Sequence, residues 1–393
     1  MLIEAKKYYN YIKSKYNKEF NFLISLLRSD TDILKPIDDF NWDEFIRLTD
    51  YHKLYPVLFS GAILENKITP KDIEDKLKTY YEEKSKVNLH ITSQLIWLNY
   101  LLDENGIKRL WLKGPVLAII LYGQLNQRLS GDIDLLINYE DIVKVNQILI
   151  NDGFTCELDL VRLKPGVRKF FQKYRNQLHY YNKQKRIAVE LHWRLVNPNG
   201  LWRITFNELY KNSVEIEVGN MPMRTLSTDH YFIYLSAHGT LHKWFRLFWL
   251  RDIHEMLIQN KVNWKEAIQI ARDNKILPII SESLIVSQLF FNSTIPDELL
   301  KIKANNKANK LTGKIIKAIN QPASAFQSKG IGHLKSIFYL SQLKNDLRYK
   351  MNCFIKLFIN SEELKTFTLP AIFLPIYCFK RFFSWFRIQY LKK

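Results

Sequence analysis

Apolar and polar positions along this chain change their period twice, and the changes divide it. Between Phe20 and Leu102 the apolar residues recur three and four apart, as in FNFLISLLR and FIRLTDYHKLYPVLFSGAIL, which predicts amphipathic helices. The longest helix carries YYEEKSKVNLHITSQLIWLNYLL; its expected cap is Thr69, with Pro70 in its first position, and its expected stop is Asn105-Gly106. At residue 107 the pattern shortens. IKRLWLKG predicts a strand running into a glycine, PVLAIILYG a helix with Pro115 near its start, and NQRLSG a turn. DIDLLINY predicts a second strand and EDIVKVNQILINDGF a helix closed by Gly153. FFQKYRNQLHYYNKQKRIAVELHWRLV reads as two strands joined by a polar turn near Asn182 and Lys183. From residue 226 helical spacing returns in LSTDHYFIYLSAHGTLHKWFRLFWLRDIHEMLIQN, with Ser227 or Thr228 as the cap. The expected fold is therefore α+β: a small mixed β-sheet core (105–225) embedded between an N-terminal helical region (1–104) and a C-terminal helical region (226–350). A basic aromatic tail (351–393) follows, in which Pro370 and Pro375 interrupt any long helix.

Composition narrows the class. At 47% hydrophobic and 25% charged, the 393 residues suit a folded chain rather than a disordered one. The formal net charge of +19 favours anionic partners such as nucleotides, nucleic acid or an acidic membrane, although solvated helix faces account for such an excess equally well. Cys156, Cys353 and Cys378 are far apart and form no CxxC pair, which argues against a disulfide framework and fits a reducing cytoplasm. The polar N-terminus has no signal-peptide core, and no clean run of 18 apolar residues predicts a spanning helix. The expected location is cytoplasmic. The tail is a candidate for peripheral contact with the inner membrane surface or for packing within the molecule.

The chemistry concentrates in SGDIDLLI, residues 130–137. On a strand, Asp132 and Asp134 project from one face while Ile133 points into a core. Adjacent carboxylates repel, and a divalent cation turns that cost into a binding site; Mg²⁺ (or Mn²⁺) suits oxygen ligands and bridges phosphates. Glu190 interrupts the apolar strand IAVELHWRL and is the candidate third acid, with His192 on the same face as a substrate-side or orienting residue. Upstream, Lys113 and Gly114 sit where a strand meets a helix, a place where phosphate oxygens find free N–H groups. Arg128 is a candidate to clamp a phosphate or to pair with Asp132, and Ser130 to bond a phosphate or cap the turn. The GxxxxGK[ST] pattern of a P-loop is absent.

Together WLKG, LYGQLNQRLSGDIDLLI and VELHWRL resemble the uncharacterised nucleotidyltransferase family related to the DNA polymerase β-like superfamily. The resemblance implies that Gly114 takes the turn position, Asp132 and Asp134 the metal pair, and Glu190 the third acid. It implies Mg²⁺-dependent transfer of a nucleoside monophosphate from an NTP, ATP being the expected donor, to a hydroxyl or phosphate acceptor. Small molecules, peptides and proteins are the expected acceptors. Nucleic acid is the alternative, without an RRM-like, KH-like or finger motif to support it. An inactive core serving as scaffold or membrane-associated protein is the non-enzyme alternative. HGTLHKWFRLFWLRDIHEML resembles the helical segment that follows the core in that family, and makes His238, His242 and Arg246 candidates for the nucleotide or acceptor side. One departure stands out: the superfamily turn is Gly-Ser or Gly-Gly, whereas Gly114 is followed here by Pro115, which has no N–H to offer a phosphate.

Overall fold

The structure is a computed structural model that describes residues 2–28, 36, 39–59, 69–302, 306–319 and 331–356. The basic aromatic tail beyond residue 356 lies outside the described residues. Seven strands form one open mixed sheet: β1 (Arg109–Trp111), β2 (Ile133–Ile137), β3 (Thr155–Cys156), β4 (Gln177–Asn182), β5 (Ile187–His192), β6 (Val214–Val218) and β7 (Met221–Thr225). Their order is β3-β4-β5-β2-β1-β7-β6. At the centre, β2 runs antiparallel to β1 and parallel to β5. Helical regions flank this sheet on the N-terminal and C-terminal sides of the sequence, giving the expected α+β fold.

Three local differences from the sequence expectation have physical causes. Thr69 does not cap the Lys71–Glu104 helix; Pro70 holds the cap position in extended backbone (ψ 145°), and its carbonyl accepts from Ile73 and Glu74. FFQKY belongs to a helix, Pro165–Tyr174, because Pro165 opens a turn and Val167, Phe171 and Tyr174 recur at helical spacing on its buried side. The β6–β7 hairpin was not expected. Its Gly219-Asn220 turn has positive φ at both residues (58° and 62°), the conformation that matches the twist of paired strands.

Strand alternation sorts the sheet into two cores. Ile133, Leu135 and Ile137 of β2, with Val189 and Leu191 of β5, pack with the C-terminal half of Lys71–Glu104 and with the Ile142–Asn151 and Pro165–Tyr174 helices. Leu136 of β2, with Leu110 of β1 and the adjoining Leu112, faces the opposite core. That second core holds N-terminal helices up to residue 58 and the C-terminal helices together, so they form one layer on one face of the sheet, while the C-terminal half of Lys71–Glu104 packs on the other. Phe20 meets Phe290 edge-on at 6.5 Å, and Arg28 donates to the carbonyls of Gln288 and Leu289. Asp134, two residues from Leu136, faces this layer, as do Glu190 and His192.

Two buried polar groups tie the layer together. Arg128, from the turn before β2, bonds both carboxylate oxygens of Asp252 on the Leu247–Gln259 helix at 3.1 and 3.0 Å, and the Tyr122 hydroxyl donates to the same carboxylate. The side chains are 4% and 0% exposed, so the charges exist in a place that tolerates neither alone. Glu282 accepts from Thr240 and from Trp244 Nε1 at 3.0 Å. Burial pushes its carboxyl up to about 8, against these two hydrogen bonds. Trp244 in turn lies flat on Gly239, where any Cβ would fall 2.2 Å from the ring.

Both groups yield predictions. Arg128→Met strands Asp252 and is expected to cost about 3–5 kcal/mol by chemical denaturation, with R128M/D252N less destabilised than the sum of the single changes. Additive losses would show that the pair is not coupled. For Glu282, the folded state holds a proton that the unfolded chain releases near the ordinary carboxylate range. Its stabilising contribution is complete below about pH 4.5 and is lost as pH rises through about 8. Melting temperature should therefore fall across that window, and Glu282→Gln should flatten the fall. Parallel pH profiles for the two proteins would exclude this role.

Candidate active site

The parallel register of β2 and β5 pairs Asp134 directly with Glu190, and Leu136 with His192. Because i and i+2 share a face, Asp134, Glu190 and His192 converge. Donor atoms of these three residues all lie within 4.8 Å of one another, the one group among the described residues whose acids and imidazole can share a metal ion. His192 Nε2 stands 3.3 Å from Asp134 Oδ1 and 3.4 Å from Glu190 Oε2. Asp132, expected as a member of the trio, borders the same cavity outside this group. The paired strand begins at Ile133, so Asp132 lies just before the ladder that aims Asp134. Two carboxylates and one imidazole fit a divalent cation: the oxygens suit a hard ion, and the nitrogen adds affinity for a first-row transition metal such as Mn²⁺.

Charge balance around the trio is tight. Lys113 Nζ reaches Asp134 Oδ1 at 3.0 Å. Burial alone would lower the Lys113 pKa, but Asp134 together with Tyr234, Asp132 and Glu190 outweighs it and holds the ammonium charged. Burial would likewise push Glu190 up; hydrogen bonds from His179 and His192 win and keep it well below the usual carboxylate range. His192 is raised, its burial overcome by Asp134 and Glu190. Asp132 goes the other way: burial first, then Asp134, pushes it up to about 6.

A cavity of about 640 Å³ opens over these residues, floored by the sheet and walled by the helical layer. Gly114 has φ +60°, which a side chain would strain, and it starts the Gly114–Tyr122 helix beside Ser130. The Ser130 hydroxyl is buried without a hydrogen-bond partner in the protein, and its backbone N–H is held by Asn88 of the long helix at 3.0 Å. A buried, unsatisfied hydroxyl on a cavity wall is what a ligand oxygen would complete. Arg128 lines the cavity too, but its guanidinium is bound to Asp252 rather than to Asp132.

On the opposite wall stand His238, His242 and Arg246. His238 and His242 lie 4.6 Å apart with their rings tilted by 52°, and each meets Trp249, at 5.1 and 5.5 Å. Burial, and then Lys113, lowers both imidazoles, His242 to about 4, so both are neutral at physiological pH. The three sequence candidates from the post-core helices are thus brought to the same cavity as the acids.

Sequence reasoning missed several neighbours. Gln177 and His179, two apart on β4, both contact Glu190: Gln177 Nε2 donates at 2.9 Å and His179 Nδ1 lies at 3.2 Å. Their Q-x-H spacing opposite an embedded acid was the available signal. Lys53, from the N-terminal region, and Lys356, at the end of the Leu347–Lys356 helix, also line the cavity and carried no local signal at all.

Comparison with known proteins fits this geometry. No curated protein matches the chain. The family described as uncharacterised nucleotidyltransferase matches residues 38–292, a span that contains the whole sheet, the acids and the His238–Trp249 wall. With well over half of its length matched and a metal-compatible acid cluster at the centre of the sheet, the chain belongs to the uncharacterised nucleotidyltransferase family of the DNA polymerase β-like superfamily.

Proposed function

We propose that this protein is a metal-dependent enzyme that transfers a nucleoside monophosphate from an NTP, ATP by preference, to a hydroxyl or phosphate of a small-molecule, peptide or protein acceptor. The observation that carries the reading is the in-register pairing of Asp134 with Glu190, closed by His192, on the floor of a cavity. In the reaction the acceptor oxygen bonds to the α-phosphorus, the bond from that phosphorus to the bridging β-phosphate oxygen breaks, and pyrophosphate leaves with the electron pair. A divalent cation in such a site supplies charge neutralisation at the phosphates and a more acidic acceptor hydroxyl.

The chain's own residues have distinct parts. Asp134 and Glu190 offer oxygen ligands, Asp132 adds a carboxylate at the cavity edge, and His192 adds a nitrogen donor. Gln177 and His179 hold Glu190 in place. Gly114 lets the backbone approach a phosphate closely, and Ser130 and Lys113 offer a hydroxyl and a positive charge beside it. The neutral His238 and His242 rings with Trp249 form an aromatic, weakly polar wall that offers both ring faces and edges to a base or an acceptor. A cavity of about 640 Å³ suits a nucleotide and a small or extended acceptor group better than a duplex. No helix among the described residues is long and apolar enough to cross a membrane.

The test is incubation with each α-labelled NTP, Mg²⁺ or Mn²⁺, and cell extract, followed by identification of the labelled acceptor. Asp132→Asn and Asp134→Asn should each lower transfer by roughly a thousandfold or more while leaving the melting curve recognisably cooperative. Transfer that persists undiminished in D132N/D134N would refute the assignment.

A further inference from the structure

Pro115 removes one backbone donor from the turn that the superfamily uses for phosphate, and the cavity contains a second source of positive charge to replace it. Lys53 follows the Trp42–His52 helix in left-handed backbone (φ 55°), which turns its side chain back toward the sheet. Its ammonium sits 3.7 Å from where a Cβ on Gly131 would stand, next to Asp132, and 5.3 Å from the Phe248 ring centroid. Among the described residues no carboxylate is in ion-pair contact with it. Arg246 faces the same space from the start of the Leu247–Gln259 helix.

The two cations are built in together. Arg246 Nη1 donates to the Tyr51 carbonyl at 2.9 Å, and His52 Nδ1 accepts from the Leu247 N–H at 3.3 Å. Each segment thereby fixes the other: residues 51–53 come from the N-terminal helices and 246–247 from the C-terminal ones. The result is a pair of half-buried like charges on the wall of one cavity. Burial, and then the charge of Arg246, lowers the Lys53 pKa to about 8, which marks the repulsion this arrangement sustains. Like charges held in this way are costly unless an anion joins them.

Building on the nucleotidyltransferase reading, we infer that Lys53 and Arg246 form the subsite for the β- and γ-phosphates of the NTP. The helical layer then holds the polyphosphate tail while the sheet holds the metal and the α-phosphate. The anion class is a linear polyphosphate, because Lys53 lies beside Gly131 and Asp132 while Arg246 lines the same cavity from the helical layer.

Calorimetric titration of the full-length protein with Mg²⁺ and three probes tests this: inorganic tripolyphosphate, an ATP analogue with a non-hydrolysable α,β bridge, and AMP. Lys53→Met should weaken tripolyphosphate and the ATP analogue by roughly tenfold and change AMP by less than about twofold. Lys53→Arg should restore most of the loss. Lys53→Met breaks no direct ion pair, so its melting curve should stay cooperative and within a few degrees of the parent's; Arg246→Gln, which also breaks the Tyr51 contact, serves as the second variant. Unchanged tripolyphosphate binding in both variants, or an equal loss for AMP, would overturn the subsite while leaving the enzymatic reading intact. A parent protein that binds neither the ATP analogue nor tripolyphosphate would remove that reading and the subsite together.

Discussion

The repulsion between carboxylates at the centre of the sheet governs this molecule. β2 is buried along its length and is flanked by β5 in parallel, so Asp134 and Glu190 cannot turn away from each other into solvent. Their charge has to be balanced in place. Lys113 does so from the end of β1 and His192 from β5, and both hold their protons against the cost of burial because the acids demand it. A sheet organised for stability alone would place apolar residues at these positions, as it does at Val189, Leu191 and Leu135 on the opposite face. The expense is localised on the face where the cavity lies, as expected where a binding site is maintained at the cost of packing.

The helical layer follows from that arrangement. Charged residues on one face of a sheet leave it without a continuous apolar surface, and something must shield the balance from water. N-terminal and C-terminal helices share the task, joined by aromatic packing and by buried polar ties such as Arg128 with Asp252 and Arg246 with Tyr51. Each tie crosses more than a hundred positions of sequence. The cavity wall therefore depends on both ends of the described chain, and the compact sheet unit does not contain the site by itself. The close seat of Trp244 on Gly239 fixes the turn that delivers Arg246.

Local chemistry in the sequence was legible where a residue type and its immediate spacing sufficed. Asp-x-Asp before an apolar run, an acid embedded in an apolar strand, a glycine between strand and helix and a serine ahead of a helix all have short-range meanings, and β2, β5, the Gly114 turn and the Ser227 cap follow from them. Gly219-Asn220 carried an equally local hairpin signal that went unread because the strands around it are charged and exposed on one face. Other features have no local expression. Nothing near Arg128 says that its partner is Asp252 rather than Asp132, and nothing near Lys53 says that it reaches the acids. Those facts belong to the docking of helices, which depends on packing shape over long separations. His192 lies between the two cases: its face was evident from strand alternation, while its place among the acids required the register of β5 against β2.

The same distinction bears on the chain's net charge of +19. As composition it is compatible with solvated helix faces, with nucleic acid or with nucleotides. Placement separates these. Lys53, Lys113, Arg128, Arg175, Arg246 and Lys356 all line one cavity, although Arg128, Lys113 and Arg175 are already matched to acids. Lys53, Arg246 and Lys356 have no carboxylate in ion-pair contact among the described residues, and Lys53 stands beside Asp132. An anion with one end on the acid side, where a cation would bridge it, and the other on the helical wall satisfies both halves of the cavity at once. A nucleoside triphosphate has that polarity along its length. On the proposed reading, the backbone donor that Pro115 lacks is complemented by side-chain cations from distant helices, with Gly114, Ser130 and Lys113 still at the turn.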